Sequence, residues 1–162
     1  LTPLDTRGGL PAWIARVVAS RRERPADGQG TVAAIRQGLV ESAAAGVTTV
    51  GDIATNAPPR AYAGPGPRVR VYREGLGLRP AALDTVPRSI ASDLDHLSAA
   101  GIATAISPHA PYSVAAALGR ALLDEAQRRQ CPVAMHLLES EAEAEFLARG
   151  TGPFRKLLED LG

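Results

Sequence analysis

Gly101-Ile102-Ala103-Thr104-Ala105-Ile106-Ser107-Pro108-His109-Ala110-Pro111-Tyr112-Ser113 is the stretch on which the fold turns. Ile102–Ser107 has the short apolar character of a buried strand, and Gly101 before it is the residue type that closes a helix. Pro108 and Pro111 then stop the strand and open a loop around His109. Ser113 stands where a helix N-cap would, ahead of the helical pattern Val114–Arg129. A helix, a strand, a loop carrying a histidine and another helix make up the repeating unit of parallel sheets.

The unit recurs on both sides. Upstream, Leu10, Ile14, Val17 and Val18 recur at helical spacing over Leu10–Arg22, with Pro11 acceptable in the first turn. Pro25–Gly30 ends that helix, and a second pattern, Thr31–Ala45, carries Ile35, Leu39 and Val40 and stops at Gly46. Val47–Ile53 reads as a buried strand, Asn56–Pro67 as a Pro- and Gly-rich loop, Arg68–Glu74 as a strand and Val86–Ala100 as a helix. Downstream, Pro132–Leu137 is strand-like with Pro tolerated at its first position, and Ser140–Ala148 and Pro153–Leu161 are helical. The expected fold is therefore α/β, with about four parallel strands and flanking helices. It is either a small open sheet or part of a TIM-type (β/α) barrel, because closure of eight strands usually takes ~250 residues and the chain has 162.

Charge excludes several functions. Eighteen basic and 17 acidic residues leave a net charge of +1, spread along the chain, so nucleic acid and anionic membranes are not expected partners. Arg21, Arg22 and Arg24 read as the solvated end of a helix. No apolar run approaches the ~20 residues that a membrane span needs, and the start does not resemble a signal peptide. Cys131 is the only cysteine, so no internal disulfide forms, which fits the cytoplasm; its place before an apolar run suggests packing rather than reactivity. The chain opens at Leu1 on loop chemistry and is expected to be an internal piece of a longer protein.

In parallel α/β folds, function collects where strands give way to their loops. Two of the three histidines, His109 and His136, lie at such points, whereas His96 falls inside a predicted helix and reads as a surface residue. In Met135-His136-Leu137-Leu138-Glu139-Ser140 a helix would put His136 and Glu139 on one face, and a continuing strand would put them on opposite faces. On the strand reading both serve one site only if Glu139 has already entered the turn. A neutral imidazole holding a divalent metal beside a proton-shuttling carboxylate suits hydrolysis. Residue types alone leave open a packed histidine and a helix-capping glutamate. Asp52, at a strand end, reads as structural. Arg73 and Glu74 face the same mouth in this reading and are expected to form a local ion pair rather than touch substrate.

Ser107-Pro-His-Ala-Pro-Tyr-Ser113 together with Pro132-Val-Ala-Met-His-Leu-Leu-Glu-Ser-Glu-Ala-Glu143 resembles the fourth- and fifth-strand region of the amidohydrolase superfamily. The branch is that of the cytosine, guanine, adenosylhomocysteine and aminofutalosine deaminases and the triazine chlorohydrolases. Gly46-Val-Thr-Thr-Val-Gly-Asp52 and Leu10-Pro-Ala-Trp-Ile14 are similar to earlier parts of the same family, so the resemblance covers nearly the whole chain. It implies an incomplete metal-dependent hydrolase barrel domain over 1–162, holding strands two to five of the family barrel. It further implies His136 as a metal ligand, Glu139 as the proton-shuttling acid/base, His109 as a substrate contact, and one divalent ion, zinc or iron. The implied reaction is hydrolysis of a carbon–nitrogen bond outside peptides, as in deamination of a nitrogen heterocycle. The family's His-x-His pair, its sixth-strand histidine and its eighth-strand aspartate have no counterpart in these residues. The alternative is a catalytically inactive barrel piece that binds or associates, with Val47–Ile53 and Pro132–Leu137 as open edges available for self-association.

Overall fold

A computed structural model describes residues 5–22 and 29–161. The chain divides into two compact units, one of residues 27–135 and one of residues 1–26 with 136–162.

The unit of residues 27–135 is built on three parallel strands in the order β1-β2-β3: β1 Thr49–Ala54, β2 Arg68–Gly75 and β3 Ala103–Pro108. With α1 being Gly9–Arg22 in the other unit, the helices here are α2 Gln29–Ala44, α3 Pro80–Ala99 and α4 Ala116–Arg129. Pairing sets Ala54 against Arg73 and Arg73 against Ile106, so alternation sends these residues to the helix-covered face of the sheet. There Ile106 packs with Ile90 and Leu94 of α3 and Leu118 and Leu122 of α4, while Val71 packs with Leu97 and Ala54. Gly75 closes β2 against these helices: a Cβ there would come within 2.7 Å of Leu122 Cδ1, so the close approach requires glycine.

The sheet is shorter than the sequence pattern suggests. The fourth expected strand, Pro132–Leu137, is reduced to a parallel bridge of Val133 with Ile106, with Ile106 N donating to Pro132 O (3.1 Å) and Ala134 N donating to Ile106 O (3.2 Å). Pro132 has no N–H to extend the ladder towards β3's start. α3 starts before the expected Val86, because Pro80 suits a first helical position, and it accommodates Pro87 inside. The loop between β1 and β2 contains a 3-10 turn, Pro59–Tyr62.

Ser113 is not the N-cap of α4. Ala115 takes that position without a side-chain bond. Ser113 closes a turn, and Val114 bridges Gly77, which donates its N–H to Ser113 O (2.9 Å) and accepts from Ala115 N (2.8 Å), so the helix begins later. Cys131 packs half-buried at the edge of the core, and burial pushes its thiol up from its ordinary value.

The unit of residues 1–26 and 136–162 contains α1, α5 Glu141–Arg149 and α6 Pro153–Leu161. α6 packs on both α5 and α1, with Phe154 fully buried and its ring 6.5 Å from that of Phe146. Arg21 and Arg22 are exposed at the last turn of α1, as expected of a solvated helix end; Arg24 lies outside the described residues. No helix among the described residues is long and apolar enough to cross a membrane.

Candidate active site

At the carboxyl end of β3 the main chain fixes His109 first. His109 N donates to Gly75 O (3.0 Å), which ties the residue after β3 to the last residue of β2. Its ring is then held on two sides. Nδ1 lies 2.5 Å from Ser113 Oγ, and Tyr112 meets the ring edge-on with centroids 5.6 Å apart and planes at 89°. Ser113 Oγ also lies 3.2 Å from Ala110 O, and when its single hydrogen is given to that carbonyl, the bond to the ring is one in which Nδ1–H donates. Nε2 is thereby turned towards Glu74, whose Oε1 is 3.9 Å away.

Glu74 and Arg73 do not face the same mouth, and they do not pair with each other. Neighbouring residues on a strand point to opposite faces. Arg73 turns into the helix-covered side, where its buried guanidinium donates through Nε (3.0 Å) and Nη2 (2.6 Å) to Asp93 Oδ2 and through Nη1 to Ala54 O. This is a structural clamp joining β1, β2 and α3. Asp52 is likewise structural: its Oδ2 accepts from the Tyr62 hydroxyl at 2.6 Å. Burial first, and the Asp52 carboxylate second, push the Tyr62 phenol above its ordinary range. His96 is exposed on α3, as a surface residue should be.

In the other unit, residues 136–139 form neither helix nor strand. Leu138 adopts φ +57°, the left-handed region that non-glycine side chains rarely occupy. That reversal makes the three-residue spacing productive: His136 Nδ1 and Glu139 Oε1 come within 3.5 Å of each other, both partly open to solvent. The helix-capping work falls on other residues. Ser140 is the N-cap of α5, its Oγ accepting from Glu143 N (3.2 Å), and Glu143 Oε2 accepts from Glu139 N (2.7 Å). The Glu139 carboxylate is therefore not spent on the cap.

The sequence profile described as the Amidohydrolase family matches residues 3–162. The chain belongs to the amidohydrolase family. A stretch of 56 residues is 39% identical to the aminodeoxyfutalosine deaminase of a Nitratiruptor species, covering 35% of this chain and 14% of that protein. The fold is similar to that of Helicobacter pylori aminofutalosine deaminase in complex with methylthio-coformycin, with a TM-score of 0.72, 23% identity, and 91% of this chain matched to 36% of that one. A second structure of the Helicobacter enzyme superposes with a TM-score of 0.60 at 23% identity, over 76% of this chain and 32% of the other. The chain thus spans about a third of the length of these structural relatives and 14% of the curated one. The three parallel strands with flanking helices are a part of the family's barrel fold.

Three features of this amidohydrolase are not evident from residue type and position: the role of Glu143, the conformation of Leu138 and the Ser113 bond to His109. One signal for the first was present: Ser140-Glu141-Ala142-Glu143 has the S-x-x-E spacing of a capping box. Nothing in residue type marks Leu138 for a left-handed conformation.

Proposed function

We propose that the whole protein is a metal-dependent hydrolase of carbon–nitrogen bonds outside peptides that deaminates an amino-substituted nitrogen heterocycle. The chain of residues 1–162 is read as strands two to five of its barrel, in the cytoplasm. Family membership supports the hydrolase class, and relatives named as aminodeoxyfutalosine and aminofutalosine deaminases, one bound to methylthio-coformycin, support the heterocycle. The single observation that carries the reading is the approach of His136 Nδ1 and Glu139 Oε1 to 3.5 Å across the Leu138 turn.

The donors suit a divalent ion. An imidazole beside a carboxylate, partly open to solvent, is the nitrogen and oxygen chemistry that zinc or iron accepts. His136 would hold the ion as one of the three or four protein ligands that zinc sites take. When bound, such an ion acts as a Lewis acid and makes water nucleophilic near neutral pH. Glu139 takes the proton of the attacking water and returns one to the departing ammonia. His109, with Nδ1 committed to Ser113, presents Nε2 to a polar group of the heterocycle.

Purified whole protein is expected to contain stoichiometric metal and to release ammonia from members of a panel of amino-substituted purines, pyrimidines and their nucleosides. Metal-loaded protein that releases no ammonia from any of them would remove the deaminase assignment. Residues 1–162 alone are expected to show neither turnover nor tight stoichiometric metal binding. They are expected to self-associate along the sheet's edges, where Ile53 of β1 is 38% exposed and Val133, bridged to β3, is 42% exposed. A monomer in sedimentation across the micromolar range would count against that association.

A further inference from the structure

Glu143 is fully buried, yet among the described residues only one of its two carboxylate oxygens has a partner: Oε2 accepts from Glu139 N at 2.7 Å, and Oε1 has none. A helix cap of this kind biases stability by on the order of fivefold. Burying an unsatisfied oxygen of a carboxylate costs on the order of a hundredfold or more. Capping α5 therefore does not account for Glu143, and Ser140 Oγ already serves α5 by accepting from Glu143 N at 3.2 Å. What Glu143 does hold is the peptide on which the Glu139 side chain is mounted. The bond lies directly after Leu138, whose φ of +57° is itself a conformation that must be held in place.

We infer that Glu143 is a positioning residue: through its bond to Glu139 N it locks the turn 136–139 so that the Glu139 carboxylate stays 3.5 Å from His136 Nδ1. The inference rests on the role proposed above for Glu139. A group misplaced by about an ångström can lose on the order of a hundredfold in rate, so an exposed glutamate on a short irregular turn needs such an anchor. Glu143 reaches it from a rigid place, the first turn of α5, which explains why the anchor is buried while the residue it anchors is exposed.

The test uses the full-length metal-loaded enzyme and three variants: Glu143→Leu, which keeps the bulk and removes the acceptor; Glu143→Gln, which keeps an acceptor oxygen; and Glu139→Gln. Glu143→Leu should lower kcat by about 10- to 100-fold with KM and bound metal unchanged, and Glu143→Gln should stay within about threefold of wild type because the acceptor is restored. Combined with Glu139→Gln, Glu143→Leu should add no further loss, since both act on one group. Independently of turnover, amide hydrogen exchange at Glu139 should quicken by about tenfold in Glu143→Leu and not in Glu143→Gln. Losses that multiply in the double variant, or unchanged exchange and kcat in folded Glu143→Leu, overturn the positioning role. If Glu139→Gln turns over normally, the proposed function fails, while the exchange measurement still decides whether Glu143 holds Glu139. Should Glu143→Leu fail to fold, Ser140→Ala, which frees Glu143 N, must show the same faster exchange and a smaller kcat loss; wild-type values in it overturn the inference.

Discussion

His109 and His136 both follow strand-like runs, but they are fixed by different means. His109 is built into the sheet: its backbone joins the ends of β2 and β3, and its ring is gripped by Ser113 and Tyr112. His136 lies on a segment without regular structure, where a left-handed Leu138 and the buried Glu143 set the approach of Glu139. Ladder hydrogen bonds are shared by many residues, so a regular strand end tolerates single changes. A turn shaped by one unusual dihedral and one side-chain acceptor does not. The division suits the proposed chemistry, in which one histidine orients substrate on a firm floor and the other works beside a carboxylate that must exchange protons with its surroundings.

The comparison is tested hardest at the turn. In the full-length protein, Glu139→Gln keeps size and hydrogen bonding but cannot accept a proton, so kcat should drop by about 10²–10⁴-fold with metal content unchanged. His136→Ala should lose metal and activity together. Metal analysis beside steady-state kinetics separates the two, and near-normal turnover with metal retained in Glu139→Gln would remove the mechanism.

The sheet's firmness has its own test in Arg73. Truncating one side of a buried ion pair costs several kcal/mol, but Asp93 is partly exposed and regains solvation when released. Arg73→Met should therefore cost about 2 kcal/mol in urea unfolding, with Ala54 O left unsatisfied as part of that cost. An unchanged unfolding midpoint would mean that the clamp is dispensable and that the contrast between floor and turn is weaker than drawn.

The strands and helices were legible because they follow period and punctuation. Gly46 and Gly101 close helices, β-branched runs make β1 and β2, and Pro153 opens α6 within a residue of where the pattern puts it. Three things were not legible. The run from Pro132 to Leu137 has strand composition but forms only a bridge, because Pro132 cannot donate towards the start of β3 and strand composition alone does not fix how far pairing extends. Ser113 has cap chemistry, yet it stands beside Gly77 and serves His109 instead. At residues 73 and 74 the strand period was available and would have separated the two side chains, but which face was buried could not be read until α3 was placed over it. The site shows the same limit: His109, His136 and Glu139 stand out by type and position, whereas nothing in residue type marks Leu138, and the spacing of Glu143 from Ser140 points to a cap but not to its bond with Glu139 N.

On the substrate side of the comparison, His109→Ala should leave metal content unchanged and lower kcat/KM by about tenfold, through a raised KM, a lowered kcat or both, as expected for loss of one polar contact. Loss of metal in this variant would show that His109 is a ligand and that the two histidines do not divide the work as proposed.

The smallest effect expected lies at the far edge of the sheet, where Tyr62 donates to Asp52 Oδ2. Removing the hydroxyl in Tyr62→Phe takes away one hydrogen bond to a carboxylate and should cost about 1 kcal/mol at neutral pH. The pH dependence gives the sharper reading. The folded-state pKa of Tyr62 is raised, chiefly by burial and then by Asp52, while in the unfolded chain the phenol ionises near its ordinary value of about 10. A group with a raised folded pKa contributes stability that is fully present below the unfolded pKa and is lost as pH rises above it, because the unfolded chain releases its proton first. Wild-type stability should therefore fall between about pH 10 and 11 more steeply than that of Tyr62→Phe, so that the gap between the two proteins narrows. Denaturant unfolding of both at pH 8 and at pH 10.5 measures this. A gap that stays constant with pH would place Tyr62 in an environment no different from water, and one that widens would mean that the fold favours the phenolate; with either would go the view that this edge of the sheet is held by a buried hydrogen bond.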